Sequence, residues 1–179
     1  MGRFFLSGVR QARQLLRQDA ARLIPNEGSR AKRILQLAAH PGYRALVLER
    51  FQEAANSSRH SATELVLMNL NQALTGAEFR PGCRIGPGAI IRHPMGVVVG
   101  SGVVVGSNCT LQHGVTLGER YVDGRSDGGY PQIGSGVVIG THAVVVGDIR
   151  VGDNVTIGAL TFVGANVNEG ATVHSRRSS

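Results

Sequence analysis

Between Ile133 and Gly164 an aliphatic residue recurs every six positions without a slip: Ile133, Ile139, Val145, Val151, Ile157, Val163. Four positions after each comes a small or β-branched residue: Val137, Ala143, Ile149, Val155, Thr161, Val167. No amphipathic helix keeps a period of six. Short strands joined by bends around a triangular prism do, with three hexads to a coil and the aliphatic residue pointing inward. The second half of the chain therefore reads as a parallel β-helix of hexapeptide type.

The same period extends backward through Leu117, Leu111, Val105 and Val99, then Ile91, Ile85 and Phe79. Two interruptions break it. From Ile91 to Val99 the step is eight, so two residues near His93-Pro94-Met95-Gly96 bulge out of the coil. From Leu117 to Ile133 the step is sixteen, which puts an insertion at residues 119–132. Repeats only have to stack, so function is sought at the interruptions.

Of 25 glycines, 21 lie from Gly76 onward, and the composition changes near residue 75. Residues 1–75 read as a helical cap and 76–172 as the β-helix, making an α+β chain overall, with 173–179 as a flexible tail. Helical spacing covers residues 3–24, ending at the breaker Pro25-Asn26-Glu27-Gly28. Further helices follow Ser29 up to Ala39, where His40-Pro41-Gly42 stops the run, then span Tyr43 to Ala55, then Ala62 to Ala73 after the break Asn56-Ser57-Ser58. These helices would cover the open, apolar first end of the prism. The period is lost after Val167.

The cap also carries the charge excess, 11 Lys/Arg against 5 Asp/Glu, while the remainder holds 8 against 7. Aromatic residues are scarce and no RNA-reading motif is present, so the basic face reads as a solvated helix surface rather than a nucleic-acid site. Residues 1–18 hold four Arg and no acid beside an apolar stripe of Phe4, Phe5, Leu6, Val9, Leu15 and Leu16, the pattern of a targeting or surface-bound helix. No apolar run is long enough to span a membrane. Cys83 and Cys109 occupy repeat positions without metal-ligand spacing, which suits a reduced, cytoplasmic setting.

Among six histidines, His93 stands out. Strand alternation would send it inward with Ile91, but the bulge gives a physical reason for the ring to turn outward. Counting hexads puts His113 in the same column one layer on, about 4.8 Å away. His40 reads as a helix terminator, His60 as a loop residue, His142 as a bend residue and His174 as part of the tail. Asp123-Gly-Arg-Ser-Asp127-Gly128 reads as a mobile loop over the site, since Arg125 spoils a calcium-loop pattern.

Arg80 through Gly86, Ile91 through Gly100, Val115 through Gly118, and Tyr130 through Gly134 with Ile139-Gly140 resemble the serine acetyltransferase family of left-handed β-helix acyltransferases. His40 through Ala45 is similar to the helix that precedes the β-helix in that family. The resemblance implies a homotrimer, able to pair through its helices into a dimer of trimers. It implies acetyl-CoA in a groove between prisms, no metal, and a place in cysteine biosynthesis. His93 matches the family's base, and Glu78 stands where an Asp partner lies fifteen residues upstream. For the cosubstrate it implies Gly118, Thr141 and Ala159, with Thr141 where Ala is usual and Glu119 where a second Gly is usual.

For the acceptor, Arg92 replaces an acidic residue, and Gly129-Tyr130 replaces the Arg-His that binds the amino acid. Arg92, Tyr130 and His113 are the candidate acceptor residues, with Arg125 a possible substitute cation and Glu27 loosely placed as an ammonium ligand. The Ile-Arg-His-Pro bulge is also similar to hexapeptide acetyltransferases that modify sugar hydroxyls. A hexapeptide-fold carbonic anhydrase would need three histidines on zinc, with a pair at i and i+5 that is absent here. A catalytically silent β-helix scaffold is the remaining alternative.

Overall fold

The computed structural model describes residues 2–24, 29–55 and 62–175, with backbone alone for 2–6. Pro25–Gly28, Asn56–Ser58, Glu27, His60, the side chains of Phe4, Phe5 and Leu6, and the tail from 176 lie outside the described residues or side chains.

Three parallel sheets make the walls of a prism. Glu78–Phe79, Val98–Val99, Thr116–Gly118, Val144–Val146 and Phe162–Val163 stack into the first wall. Arg84–Ile85, Val104–Val105, Gln132–Ile133 and Arg150–Val151 make the second. The third holds Ile90–Arg92, Thr110–Gln112, Val138–Ile139, Thr156–Ile157 and Thr172–Val173. Register follows the hexads: Ile85 pairs with Val105, Val105 with Ile133, and Ile91 with Leu111. Each hexad sends its aliphatic residue and the residue four later into one continuous core that includes Cys83 and Cys109, both free thiols. The stack continues beyond Val167, because Thr172 and Val173 pair with Thr156 and Ile157. Ser175 N–H then donates to Thr161 Oγ1 at 3.1 Å, so residues 173–175 complete the prism rather than trail from it.

Four helices close the other end: α1 (Gly2–Leu23), α2 (Arg30–Ala39), α3 (Pro41–Ala55) and α4 (Ala62–Thr75). Ser29 caps α2 by accepting from Lys32 N–H. The residues expected to end that helix do so, with His40 as its C-cap, and also start the next, with Pro41 in the first turn, where its missing N–H costs nothing.

A first coil has no rung beneath it, so its backbone groups need other partners. Cap side chains supply them. Arg50 donates to the carbonyls of Ile85 and Gly86, Gln52 Nε2 to Phe79 O at 2.8 Å, and Asp19 Oδ1 accepts from Ala89 N–H at 2.9 Å. Arg22 adds bonds to Gly88 O and Cys109 O, both at 2.8 Å. Among the described residues no helix is long and apolar enough to cross a membrane.

Candidate active site

The eight-residue step lies where the third wall turns into the first. Ile90 and Ile91 are buried, Arg92 is exposed, and His93 has φ +56, a left-handed backbone that swings its ring into solvent. Buried Pro94 closes the bulge by accepting from Val97 N–H at 3.1 Å. Gly42 of α3 lies against this strand so closely that a Cβ there would collide with the Ile91 carbonyl. The junction of α2 and α3 thereby roofs the bulge.

Successive coils place His113, His142, Ala159 and His174 along the same edge. The His93 and His113 ring centroids are 6.2 Å apart at an interplanar angle of 79°, and those of His113 and His142 are 5.1 Å apart at 85°. Thr141 Oγ1 donates to Gln112 Oε1 at 2.7 Å, and Gln112 is in register with Arg92. Two residues of this edge escaped the sequence reading. His142 follows its hexad residue, Ile139, by three positions whereas His113 follows Leu111 by two, so a plain column count passes over it. His40 terminates α2, as its position suggested, and also sits over the bulge. Its Nδ1 accepts from Tyr43 N–H at 3.2 Å, which leaves the neutral ring's proton on Nε2. Burial lowers the His40 pKa, and the charges of Arg92 and His93 push the same way.

Other candidate residues are placed differently. Glu78 begins the first wall, half-buried, and its carboxylate takes Arg80 Nη1 at 3.2 Å. Among the described residues no bond joins it to His93. Tyr130 packs on the prism where the first wall turns into the second, filling space that Gly100 and Gly102 leave open. Gly118 ends a first-wall strand facing open space, away from Thr141 and Ala159. Within one chain, therefore, Arg92, His93, His113, Thr141 and Ala159 share an edge that Tyr130 and Gly118 do not.

Within one chain the insertion expected to be a loop over the site forms a hairpin at a different corner of the prism from His93. Tyr121–Val122 pairs antiparallel with Arg125–Ser126 around Asp123-Gly124, at φ +50 and +75, a two-residue hairpin turn. Glu119 braces it, accepting from Tyr121 Oη at 3.1 Å and from Ser126 Oγ. This hairpin stands on Tyr130's corner, not over His93. The Asp-Gly pair was the signal for it. Among the described residues no three His, Cys, Asp or Glu side chains are grouped to hold a metal ion.

A prism of hexads places the chain among hexapeptide-repeat proteins, and a family model for the bacterial transferase hexapeptide (six repeats) matches residues 130–165. Serine acetyltransferase of Synechococcus elongatus is 39% identical over 138 residues, covering 76% of this chain and 55% of that protein. Helicobacter pylori serine acetyltransferase is 39% identical over 137 residues, 76% of this chain and 78% of its own length. The chain belongs to the serine acetyltransferase family. Among solved structures, serine acetyltransferase isoform 3 of Entamoeba histolytica in complex with cysteine aligns over 98% of this chain and 62% of its own, with TM-score 0.82 and 30% identity. The Neisseria gonorrhoeae enzyme in complex with serine aligns over 98% and 71%, with TM-score 0.82 and 28% identity. The chain thus spans a little over half of the first of these relatives and more of the others.

Proposed function

We propose that this chain transfers an acetyl group from acetyl-CoA to the hydroxyl of L-serine, with His93 as general base. The observation that carries the reading is the imidazole held out of an otherwise regular prism by the bulge. Neutral His93 takes the hydroxyl proton while the oxygen attacks the thioester carbonyl. As the tetrahedral intermediate collapses, the carbon–sulfur bond breaks and the imidazolium returns the proton to the departing thiolate. A positioned base of this kind contributes roughly 10²–10⁴-fold, and backbone N–H groups of the corner turns are the donors available to the oxyanion.

Glu78 is the carboxylate partner in this reading. It must turn from Arg80, an exposed partner that holds it with no more than about 1 kcal/mol. Arg92 and His113 line the acceptor side, while Gly118, Thr141 and Ala159 line the acetyl-CoA groove. Because Tyr130 and Gly118 lie off the His93 edge, the complete site requires a second prism, in a homotrimer that brings one chain's Tyr130 corner to its neighbour's histidine edge. The exposure of Met95, Leu160 and Phe162 supports such packing, and the exposed Ile34 and Leu35 of α2 support further pairing of trimers through the caps. Two unpaired thiols support a cytoplasmic setting.

One observation favours a second acceptor class. Beside His93 stand Arg92 and His113, with His142 beyond His113, and among the described residues no carboxylate bonds to any of them to mark an ammonium site, which suits a sugar-like hydroxyl. The pure protein with acetyl-CoA and either L-serine or a panel of glycosides, followed by free-thiol release, separates these readings. Release with serine supports the first, release with glycosides alone the second, and release with neither leaves a β-helix scaffold.

A further inference from the structure

We propose that His142 is a positioning residue for the chemistry at His93, acting through His113; the proposal rests on the acetyl-transfer reading above. Gly76, Gly96, Gly114, His142 and Leu160 turn the same corner in successive coils, with φ of +75, +72, +69, +55 and +56. The first three have no Cβ to strain. His142 and Leu160 keep full side chains in a backbone region that L residues visit rarely, but Leu160 is exposed whereas the His142 ring packs on the coil before it.

His142 N–H donates to His113 O at 3.0 Å, the rung that Gly114 and Leu160 also make at this corner, so what is particular to His142 is its side chain. The His142 ring lies on Gly114, where a Cβ would overlap its Nδ1, so a side chain on that rung would evict the ring. The His142 and His113 rings stand near-perpendicular with centroids 5.1 Å apart. One residue earlier, Thr141 Oγ1 holds the Gln112 amide at 2.7 Å. The third coil's corner therefore grips the second coil's corner by backbone, ring and amide.

What it grips stands beside the base. Gln112 is in register with Arg92, and His113 lies 6.2 Å from His93. His93 itself projects from a bulge, with Met95 and Gly96 beyond it exposed, so within this chain the His113 ring is the side chain that flanks the base, and in the proposed site it forms this chain's share of the acceptor wall. Alignment of this kind is worth large rate factors when the reacting atoms must meet within a few tenths of an ångström. The fold has no need of an imidazole at position 142, since glycine and leucine turn the same corner in other coils. The side chain is therefore kept for its neighbours.

Two variants of the full chain, His142→Gly and His142→Phe, separate positioning from folding. The readouts are thermal melting, the His113 Cε1–Hε1 NMR signal, and kcat and KM for acetyl-CoA-dependent thiol release with L-serine or, if serine is not accepted, the active glycoside. His142→Gly is expected to melt no lower than wild type, because glycine accepts the φ, while the His113 signal shifts and broadens. Its acceptor kcat/KM should fall about tenfold or more with the acetyl-CoA KM within about twofold, and His142→Phe, which keeps a ring on Gly114, should stay within about threefold of wild type. Unchanged kcat/KM in His142→Gly would overturn the proposal, as would equal damage in both variants, which would assign the role to ring nitrogens touching substrate. If wild type itself releases no thiol with any acceptor, the transferase reading fails instead. The His113 signal then decides the coupling alone, and an unmoved signal in His142→Gly sinks it.

Discussion

Arg50 Nε meets Asp19 Oδ2 at 3.1 Å with neither side chain exposed to solvent. The pair joins α3 to α1, and each partner also finishes the prism's open end, Arg50 on two carbonyls and Asp19 on the Ala89 N–H. Arg50→Met would leave two buried carboxyl groups, Asp19 and Glu49, without their cation and two carbonyls without donors. The expected cost is about 3–5 kcal/mol, read from urea unfolding. Arg50→Met combined with Asp19→Leu should cost less than the sum of the two single changes, and strictly additive costs would show that the pair is not one unit.

Glu49, beside that pair, is fully buried, and burial raises its pKa from 4.5 to about 8 against the opposing pull of Arg50. Its Oε2 lies 3.3 Å from Arg50 Nη1 as an ion pair, yet among the described residues neither Oε2 nor Gln52 Oε1 receives a hydrogen bond, and both residues line a small void with Glu53, Glu64 and Cys83. The folded pKa lies above the unfolded one, so the fold favours the protonated form. Its contribution is complete below pH 4.5 and is lost as pH rises through about 8. Within that window this group removes up to about 1.4 kcal/mol of stability per pH unit. Glu49→Gln should match wild type at pH 5, exceed it at pH 8, and flatten the slope between them. Parallel urea midpoints for the two proteins across pH 5–8 would contradict this.

The prism was legible because each hexad residue faces a core that repeats every coil, so burial alone fixes period and register. The outward turn of His93 was legible for a related reason: two surplus residues cannot fit a corner that takes none elsewhere. What the period does not encode is how a corner side chain leans. His142 reaches back over Gly114 onto the coil before it, and His40 arrives from a helix junction with no repeat at all. The continuation through Thr172–Val173 was hidden by a sixteen-residue step from Ile157, although the strands pair in register. Glu78 occupies the expected position in the chain, yet position did not reveal that Arg80, two residues away, would hold its carboxylate.

The hairpin gives a way to perturb the insertion without touching the core. Asp123 and Gly124 both have left-handed backbone, and a β-branched residue resists that conformation strongly. Because Tyr121 through Gly128 are exposed, Gly124→Val should change global stability by no more than about 0.5 kcal/mol while unfastening the turn. If the insertion reaches a neighbouring protomer's acceptor site, the acceptor KM rises and the melting temperature holds. An unchanged KM would remove the insertion from the site.

The most direct measurement is thiol release from acetyl-CoA by His93→Ala beside wild type, with circular dichroism and melting recorded on the same samples. Because the ring is exposed and outside the core, the expected result is an unchanged fold with the rate down roughly 10²–10⁴-fold. A variant that still releases thiol within about threefold of wild type would contradict a base at position 93, and a variant that loses its fold would make His93 a structural residue.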